Sequence, residues 1–121
     1  MMTGMLLILL LLGGSLAQAE TAKPAGPAPA QYRTGEAKFK ANCARCHGEG
    51  AAGTAQGPPL VHKIYEPNHH GDAAFLRAAL NGVRAHHWRF GDMPRVEGVT
   101  PEDVAQIVQY VRWLQREAGI Q

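Results

Sequence analysis

The segment CARCH, residues 43–47, holds both cysteines of this 121-residue chain and places a histidine directly after the second cysteine. Two thiols three positions apart beside an imidazole fit three kinds of site: a redox disulfide, half of a zinc site, or the covalent attachment of a haem. Each of these sites requires different surroundings, so the rest of the sequence has to discriminate between them.

Residues 1–19 have the features of a cleaved secretory signal peptide. Residues 5–12 form a nearly continuous aliphatic run, which is shorter than the roughly 20 apolar residues of a membrane span. Ala17-Gln18-Ala19 is a small-x-small cleavage pattern. Because no Lys or Arg precedes the run, an uncleaved N-terminal anchor stays as the alternative. We therefore predict export to the periplasm, with membrane attachment only if this segment is retained.

The remaining chain divides into a tether and one small domain. Residues 20–31, ETAKPAGPAPAQ, are rich in Pro and Ala and predict an extended linker with nothing to bury. Residues 32–121 form the predicted domain, which is small enough to need a staple, metal or cofactor. The formal net charge is only +2, from 12 Lys/Arg and 10 Asp/Glu, and no basic block is present. These values exclude a nucleic-acid footprint.

Apolar residues at helical spacing predict three helices, at about residues 35–43, 73–80 and 101–117. The predicted N-caps of these helices are Thr34, Asp72 and Thr100. Long loops rich in Gly, Pro and His separate the helices, and no alternating strand pattern is present in the sequence. Loops of this length are unusual in a small domain unless something organises them. The sequence therefore predicts an all-α fold of three to five helices around a large apolar ligand.

Two of the three interpretations of CARCH fit these surroundings poorly. A thiol oxidoreductase site usually follows a strand in a βαβ unit, whereas a predicted helix leads into Cys43. A zinc site would need two further ligands, and the candidates are the pairs His69-His70 and His86-His87. Neither pair has the spacing of a zinc finger. Because adjacent side chains usually diverge, we expect that both members of a pair seldom reach one metal.

The haem interpretation uses the whole motif. C-x-x-C-H is the attachment signature of a covalent haem, in which the thiols of Cys43 and Cys46 bond the vinyl groups and His47 binds the iron. A six-coordinate electron-transfer haem needs a second axial ligand, and methionine commonly provides it. Met93, in GDMPRV, is the single Met outside the predicted signal peptide. Its polar, Gly/Pro-bounded surroundings suit a ligand better than a filler of a core gap.

With these motifs the sequence resembles a class I cytochrome c of the small bacterial kind, over about residues 35–114. The resemblance rests on CARCH, on GPPL at residues 57–60 and on Met93-Pro94. It implies the cytochrome c fold and one covalently bound haem c per chain. The implied thioether positions and axial ligands are Cys43, Cys46, His47 and Met93.

The resemblance also implies supporting roles around the haem. The carbonyl of Pro58 would accept the second N–H of His47 and so orient the ring. Leu60 would pack on the haem, and the indole N–H of Trp88 would reach a propionate. The first and last helices would cross at Gly35, where a glycine permits close contact.

The implied function is that of a periplasmic electron carrier and not of an enzyme. The protein would pass single electrons between donor and acceptor redox proteins, as a monomer. A second hypothesis is a dedicated haem subunit of a membrane or periplasmic oxidoreductase complex. From a different class, the histidine pairs could make it a metal-binding or redox-sensing module.

The loop histidines leave several hypotheses open. The residues concerned are His62, His69, His70, His86 and His87. They are either solvated loop residues, with His87 near a propionate, or a second copper or zinc site built from His62, His69, His70 or His86. A third hypothesis is that His86 or His87 replaces Met93 as axial ligand at high pH.

Overall fold

The computed structural model describes residues 26–121, and this part of the chain is all-α. It contains four α helices: α1 (Arg33–Asn42), α2 (Ala44–His47), α3 (Asp72–Asn81) and α4 (Pro101–Glu117). Three short 3₁₀ helices span Ala30–Tyr32, Glu49–Ala51 and Lys63–Tyr65. Among the described residues the β pairing is limited to one antiparallel bridge, Val83↔Met93. The predicted helical class is confirmed, and the number of α helices lies within the predicted range.

Helices α1 and α4 cross at a contact that requires a glycine. Gly35 is buried, and a β-carbon added to it would overlap the backbone carbonyl of Gln106 in α4. One turn further along α1, Phe39 is fully buried and its ring centroid lies 5.6 Å from that of Tyr110. Val111 is fully buried in the same cluster. The glycine, which disfavours a helix by itself, is thus explained by the close approach of two backbones, as predicted.

The start of α4 is fixed by the predicted cap. The Thr100 hydroxyl accepts a hydrogen bond from the Asp103 backbone N–H at 3.1 Å, and the Asp103 carboxylate accepts one from the Thr100 N–H at 2.9 Å. This reciprocal capping box satisfies two backbone donors that the helix itself cannot pair. Lys38 of α1 also binds the Asp103 carboxylate, so the same residue links the two crossing helices.

The other two predicted caps are wrong. Helix α1 begins at Arg33, so Thr34 lies inside its first turn and cannot cap it. Helix α3 begins at Asp72, and Gly71 occupies the N-cap position. The Asp72 carboxylate pairs instead with the guanidinium of Arg112 in α4, at 2.9 Å. A tertiary ion pair has therefore replaced the local cap that the sequence suggested.

The N-terminal end of the described chain packs against the domain. The predicted signal peptide, residues 1–19, lies outside the described residues, as does the first half of the predicted tether. The rest of the tether differs from expectation, because Ala28 is only 2% exposed and joins the core. Its carbonyl accepts a hydrogen bond from the side chain of Arg33 at 3.4 Å. Within residues 26–121, none of the helices is long and apolar enough to cross a bilayer.

Candidate haem site

The CARCH motif folds into a single tight turn after α1. The N–H of Cys43 still bonds the carbonyl of Phe39, at 2.8 Å. The N–H groups of Cys46 and His47 both bond back to the carbonyl of Cys43, at 3.2 and 2.9 Å. Gly48, with φ of 79°, then ends α2. Cys43 and Cys46 are not joined by a disulfide, and the turn places the imidazole directly after the second cysteine.

His47 is held in one orientation. Its side chain lies among buried residues, 8% exposed, and Nδ1 is 2.8 Å from the carbonyl oxygen of Pro58. Because a carbonyl can only accept, Nδ1 carries the proton and Nε2 keeps a free lone pair. Burial lowers the pKa of His47, and the hydrogen bond to Pro58 opposes that shift. The ring is therefore neutral at neutral pH and able to bind a metal through Nε2.

The imidazole of His47 lies on the wall of an apolar cavity of about 580 Å³. The predicted site residues on its wall are Cys43, His47, Pro58, Leu60, Trp88 and Met93. Side chains of α3 and α4 complete the wall, among them Phe75, Ile107 and Val108. Two observations show that the residues present fit a haem: the volume and apolar lining suit a cofactor, and thiol, imidazole and thioether donors face one space.

Cys46 is not among the residues that line the cavity, and it lies one turn beyond Cys43. Its backbone is tightly surrounded: the Thr54 hydroxyl donates to its carbonyl at 2.6 Å. A β-carbon on Gly57 would come within 2.8 Å of the same oxygen, which accounts for the glycine of GPPL.

Burial, and to a smaller extent the neighbouring Cys46, raise the pKa of Cys43 to about 11. The Cys43 thiol of the chain is thus protonated at neutral pH.

Met93 is placed on the cavity wall by its backbone. It forms both hydrogen bonds of the bridge with Val83, at 2.8 and 2.9 Å. Gly82 precedes that bridge with φ of 78°, and a β-carbon there would lie 2.7 Å from the Met93 carbonyl oxygen. The loop between these residues is closed by Asp92, whose carboxylate accepts the N–H of Ala85 at 2.8 Å. The loop therefore presents Met93 from a fixed backbone position.

Trp88 makes a contact that the sequence did not suggest. Its indole N–H donates to the hydroxyl of Tyr65 at 3.0 Å. Both residues line the cavity. The rings of His62 and Trp88 pack edge to face, with their centroids 5.1 Å apart. Tyr65 was missed because it is 23 residues away from Trp88 and carries no motif of its own. Contact between Trp88 and a propionate stays a prediction.

A buried arginine organises the loop before α3. Arg112 is 7% exposed, and its guanidinium donates to the backbone carbonyls of Tyr65 and His70 and to the side chain of Gln115. The charge is therefore covered by hydrogen bonds, as a buried cation requires. Sequence reasoning missed this role, although Arg112 follows Val108 by four residues and so falls on the apolar face of α4.

The loop histidines do not stay apart. His69, His70 and His87 each offer one ring nitrogen, and these three atoms lie within 4.8 Å of one another. The expectation that adjacent histidines diverge is therefore wrong for His69 and His70, whose ring centroids are 4.7 Å apart. His62 and His86, which the sequence also proposed as ligands, lie outside this group of three.

Comparison with known proteins finds one matching family and two similar proteins. The family model for cytochrome c matches residues 32–115. The CcoP subunit of the cbb3-type cytochrome c oxidase of Rubrivivax gelatinosus is 34% identical over 85 residues, which are 69% of this chain and 26% of that subunit. The CcoP subunit of Cereibacter sphaeroides is 34% identical over 100 residues, 75% of this chain and 34% of the subunit. No solved structure matches the chain.

The family model covers most of the described residues, so the chain belongs to the cytochrome c family. Its all-α fold is that of a class I c-type cytochrome. Membership implies electron transport with a covalently bound haem c, and both attachment cysteines are present. The chain spans only about a quarter to a third of the length of the curated relatives it matches.

Proposed function

We propose that this protein is a periplasmic monohaem cytochrome that carries single electrons between redox proteins, through a haem iron ligated by His47 and Met93. The observation that supports this most directly is that both donor residues, His47 and Met93, line the same cavity. His47 is oriented by Pro58 at 2.8 Å, and Met93 is held through its backbone bridge to Val83. A nitrogen and a sulfur ligand held independently by the chain suit six-coordinate iron.

Each residue has a defined part in this proposal. Cys43 and Cys46 would attach the haem through thioether bonds, and His47 would bind the iron while Pro58 keeps its Nδ1 protonated. When bound, the haem supplies one-electron chemistry between ferric and ferrous iron. His47 and Met93 would hold the iron in both oxidation states, so little rearrangement would oppose electron transfer. The apolar wall would shield most of the haem from water.

The same arrangement favours a carrier over a catalyst. If His47 and Met93 both hold the iron, a substrate would have to displace one of them to reach it. The partners would then be donor and acceptor redox proteins that meet an exposed haem edge, and such encounters use small interfaces. We propose that the carrier acts as a monomer with one haem per chain.

A second function is favoured by the identity of the relatives. Both are subunits of cbb3-type cytochrome c oxidases, so this chain could instead serve as the haem module of a membrane oxidase. Cell fractionation with N-terminal sequencing separates the two. A periplasmic protein that begins near residue 20 supports the carrier, whereas a membrane-bound protein that co-purifies with oxidase subunits supports the module.

The cofactor itself is tested by a haem stain on a denaturing gel together with a reduced-minus-oxidised visible spectrum. Protein made in a host that attaches c-type haem should stain as a covalent haem protein, and Cys43→Ala with Cys46→Ala should abolish the stain. A purified, compact protein that is colourless would overturn the proposal.

The axial ligand is tested by Met93→Ala. Loss of the thioether should open the sixth iron position, lower the reduction potential because methionine ligation raises it, and let the ferrous protein bind carbon monoxide. Val83→Ala is the matched control, because it shortens the side chain of the bridge partner and keeps both the backbone bridge and the thioether. If Met93→Ala keeps the parent spectrum and potential, Met93 is not the ligand.

A further inference from the structure

Three imidazoles from two separate loops meet at the rim of the cavity. His69 and His70 lie near the end of the segment before α3. His87 lies in the loop between Val83 and Met93, the two residues of the β bridge. The ring centroid of His87 lies 5.2 Å from those of both His69 and His70. His70 and His87 also line the cavity. Because the residues belong to different segments, their approach is a property of the tertiary structure.

One of the three rings is fixed in the form that a metal requires. The Nδ1 atom of His70 lies 2.6 Å from the carbonyl oxygen of Ile64, so Nδ1 carries the proton and Nε2 is free. The backbone of His70 is held in turn by Arg112, which donates to its carbonyl. A carbonyl that orients a histidine through its second nitrogen is the usual support of a metal ligand. His69 and His87 are exposed and free to adjust.

The spacing is close to what one ion needs. Zinc binds imidazole nitrogen at about 2.0–2.1 Å in a tetrahedron, which places two ligand nitrogens about 3.3 Å apart. One ring nitrogen from each of the three histidines lies within 4.8 Å of the corresponding nitrogen of the other two. Rotations of the two exposed side chains, which shorten the longest separation by about 1.5 Å, would complete that geometry.

We propose that His69, His70 and His87 bind one divalent transition-metal ion of the zinc or copper class, at a site separate from the haem iron. Three imidazoles without a carboxylate select these borderline ions over calcium and magnesium, which prefer oxygen ligands. The fourth position is open to water, as in zinc sites with three protein ligands.

Such an ion would join two parts of the cavity wall. His87 lies in the loop that ends at Met93, whereas His70 is anchored through Arg112 to α4. Binding would therefore restrain the loop that carries Met93 against the helical part of the domain. A metal that binds the folded chain and not the unfolded chain also raises the stability of the fold.

Titration of the haem-loaded protein with Zn²⁺, followed by calorimetry, tests this site. We expect one Zn²⁺ per chain, a more than about 10-fold loss of affinity in His69→Ala and in His87→Ala, and no binding in the double variant. His62→Asn is the matched control. This variant removes an imidazole outside the group of three. The Asn side chain can still accept the hydrogen bond from the Ile64 N–H, which His62 accepts at 3.1 Å in the parent protein.

Thermal unfolding provides a second measurement on the same samples. Zn²⁺ should raise the Tm of the parent protein and of His62→Asn, and should leave the Tm of the double variant unchanged. Absence of zinc binding by the parent, equal affinity in the double variant, or equal loss in His62→Asn would each overturn the site. The haem stain on these samples reports cofactor attachment separately, so failure of the metal site and failure of the proposed function can be told apart.

Discussion

The two sides of the domain hold together in different ways. On one side, α1 and α4 pack directly on each other through Gly35 and fully buried side chains such as Phe39 and Val111. On the other side, α3 has no buried residue, and apolar side chains on part of its surface, among them Phe75 and Ala78, line the cavity together with the loop that ends at Met93. The polypeptide alone forms the first contact, whereas the second is arranged around a space of haem size.

This difference separates stability from function. Substitutions at the α1–α4 crossing should unfold the protein whatever it binds, because they open cavities or clashes in a dense core. Substitutions on the loop side should change ligands and spectra more than they change the free energy of unfolding. The predictions below compare matched changes in the two regions.

The largest expected difference lies between two phenylalanines. Phe39→Ala should cost about 3–5 kcal/mol of unfolding free energy, because it empties a fully buried site. Phe90→Ala, on the loop side where Phe90 is 40% exposed, should cost less than about 1 kcal/mol. Urea denaturation of both haem-loaded variants measures the two costs. Equal losses would show that the loop side is as tightly packed as the helix crossing.

A smaller effect on the free energy of unfolding is expected from substitution of two glycines near the ends of the Met93 loop. Gly82 and Gly91 have φ of 78° and 88°, so alanine costs about 1–2 kcal/mol at either position. Only at Gly82 would the new β-carbon also meet the Met93 carbonyl, at 2.7 Å, since at Gly91 nothing lies within 4 Å. The additional cost should be about 1–3 kcal/mol.

The spectrum distinguishes these variants further. Gly82→Ala should displace Met93 and let the ferrous protein bind carbon monoxide, while Gly91→Ala should keep the parent spectrum. If both variants bind carbon monoxide to the same extent, the contact between Gly82 and Met93 does not position the ligand.

The smallest expected effect is on the free energy of unfolding at acidic pH. Lys38, and then the Thr100 backbone and hydroxyl, lower the pKa of Asp103 from its usual 3.8 to about 2. A carboxyl whose pKa is lower in the folded state stabilises the fold above its unfolded pKa, and this contribution is lost as the pH falls through about 2. The unfolding free energies of the parent and Asp103→Asn should therefore converge between about pH 4 and pH 2. A constant gap across that range would contradict the assignment.

The parts of the site that could be predicted are those that local chemistry specifies. The C-x-x-C-H spacing identifies the attachment turn without knowledge of the fold, and the Thr100 capping box depends on residues three positions apart. The Asp72 cap was mispredicted because a residue 40 positions away, Arg112, takes its carboxylate. Tyr65 was not foreseen, since its contact with Trp88 depends on how two loops meet.

The sequence by itself determined the helical class and the attachment motif, because periodicity, capping and the C-x-x-C-H spacing act over a few residues. It also indicated Met93 as a candidate iron ligand, because no other Met lies outside the predicted signal peptide. Only the tertiary structure decided that Arg112 secures the loop before α3 and that His69, His70 and His87 approach one another. These contacts join residues far apart in the chain. Their geometry follows from how the helices pack and not from any local preference.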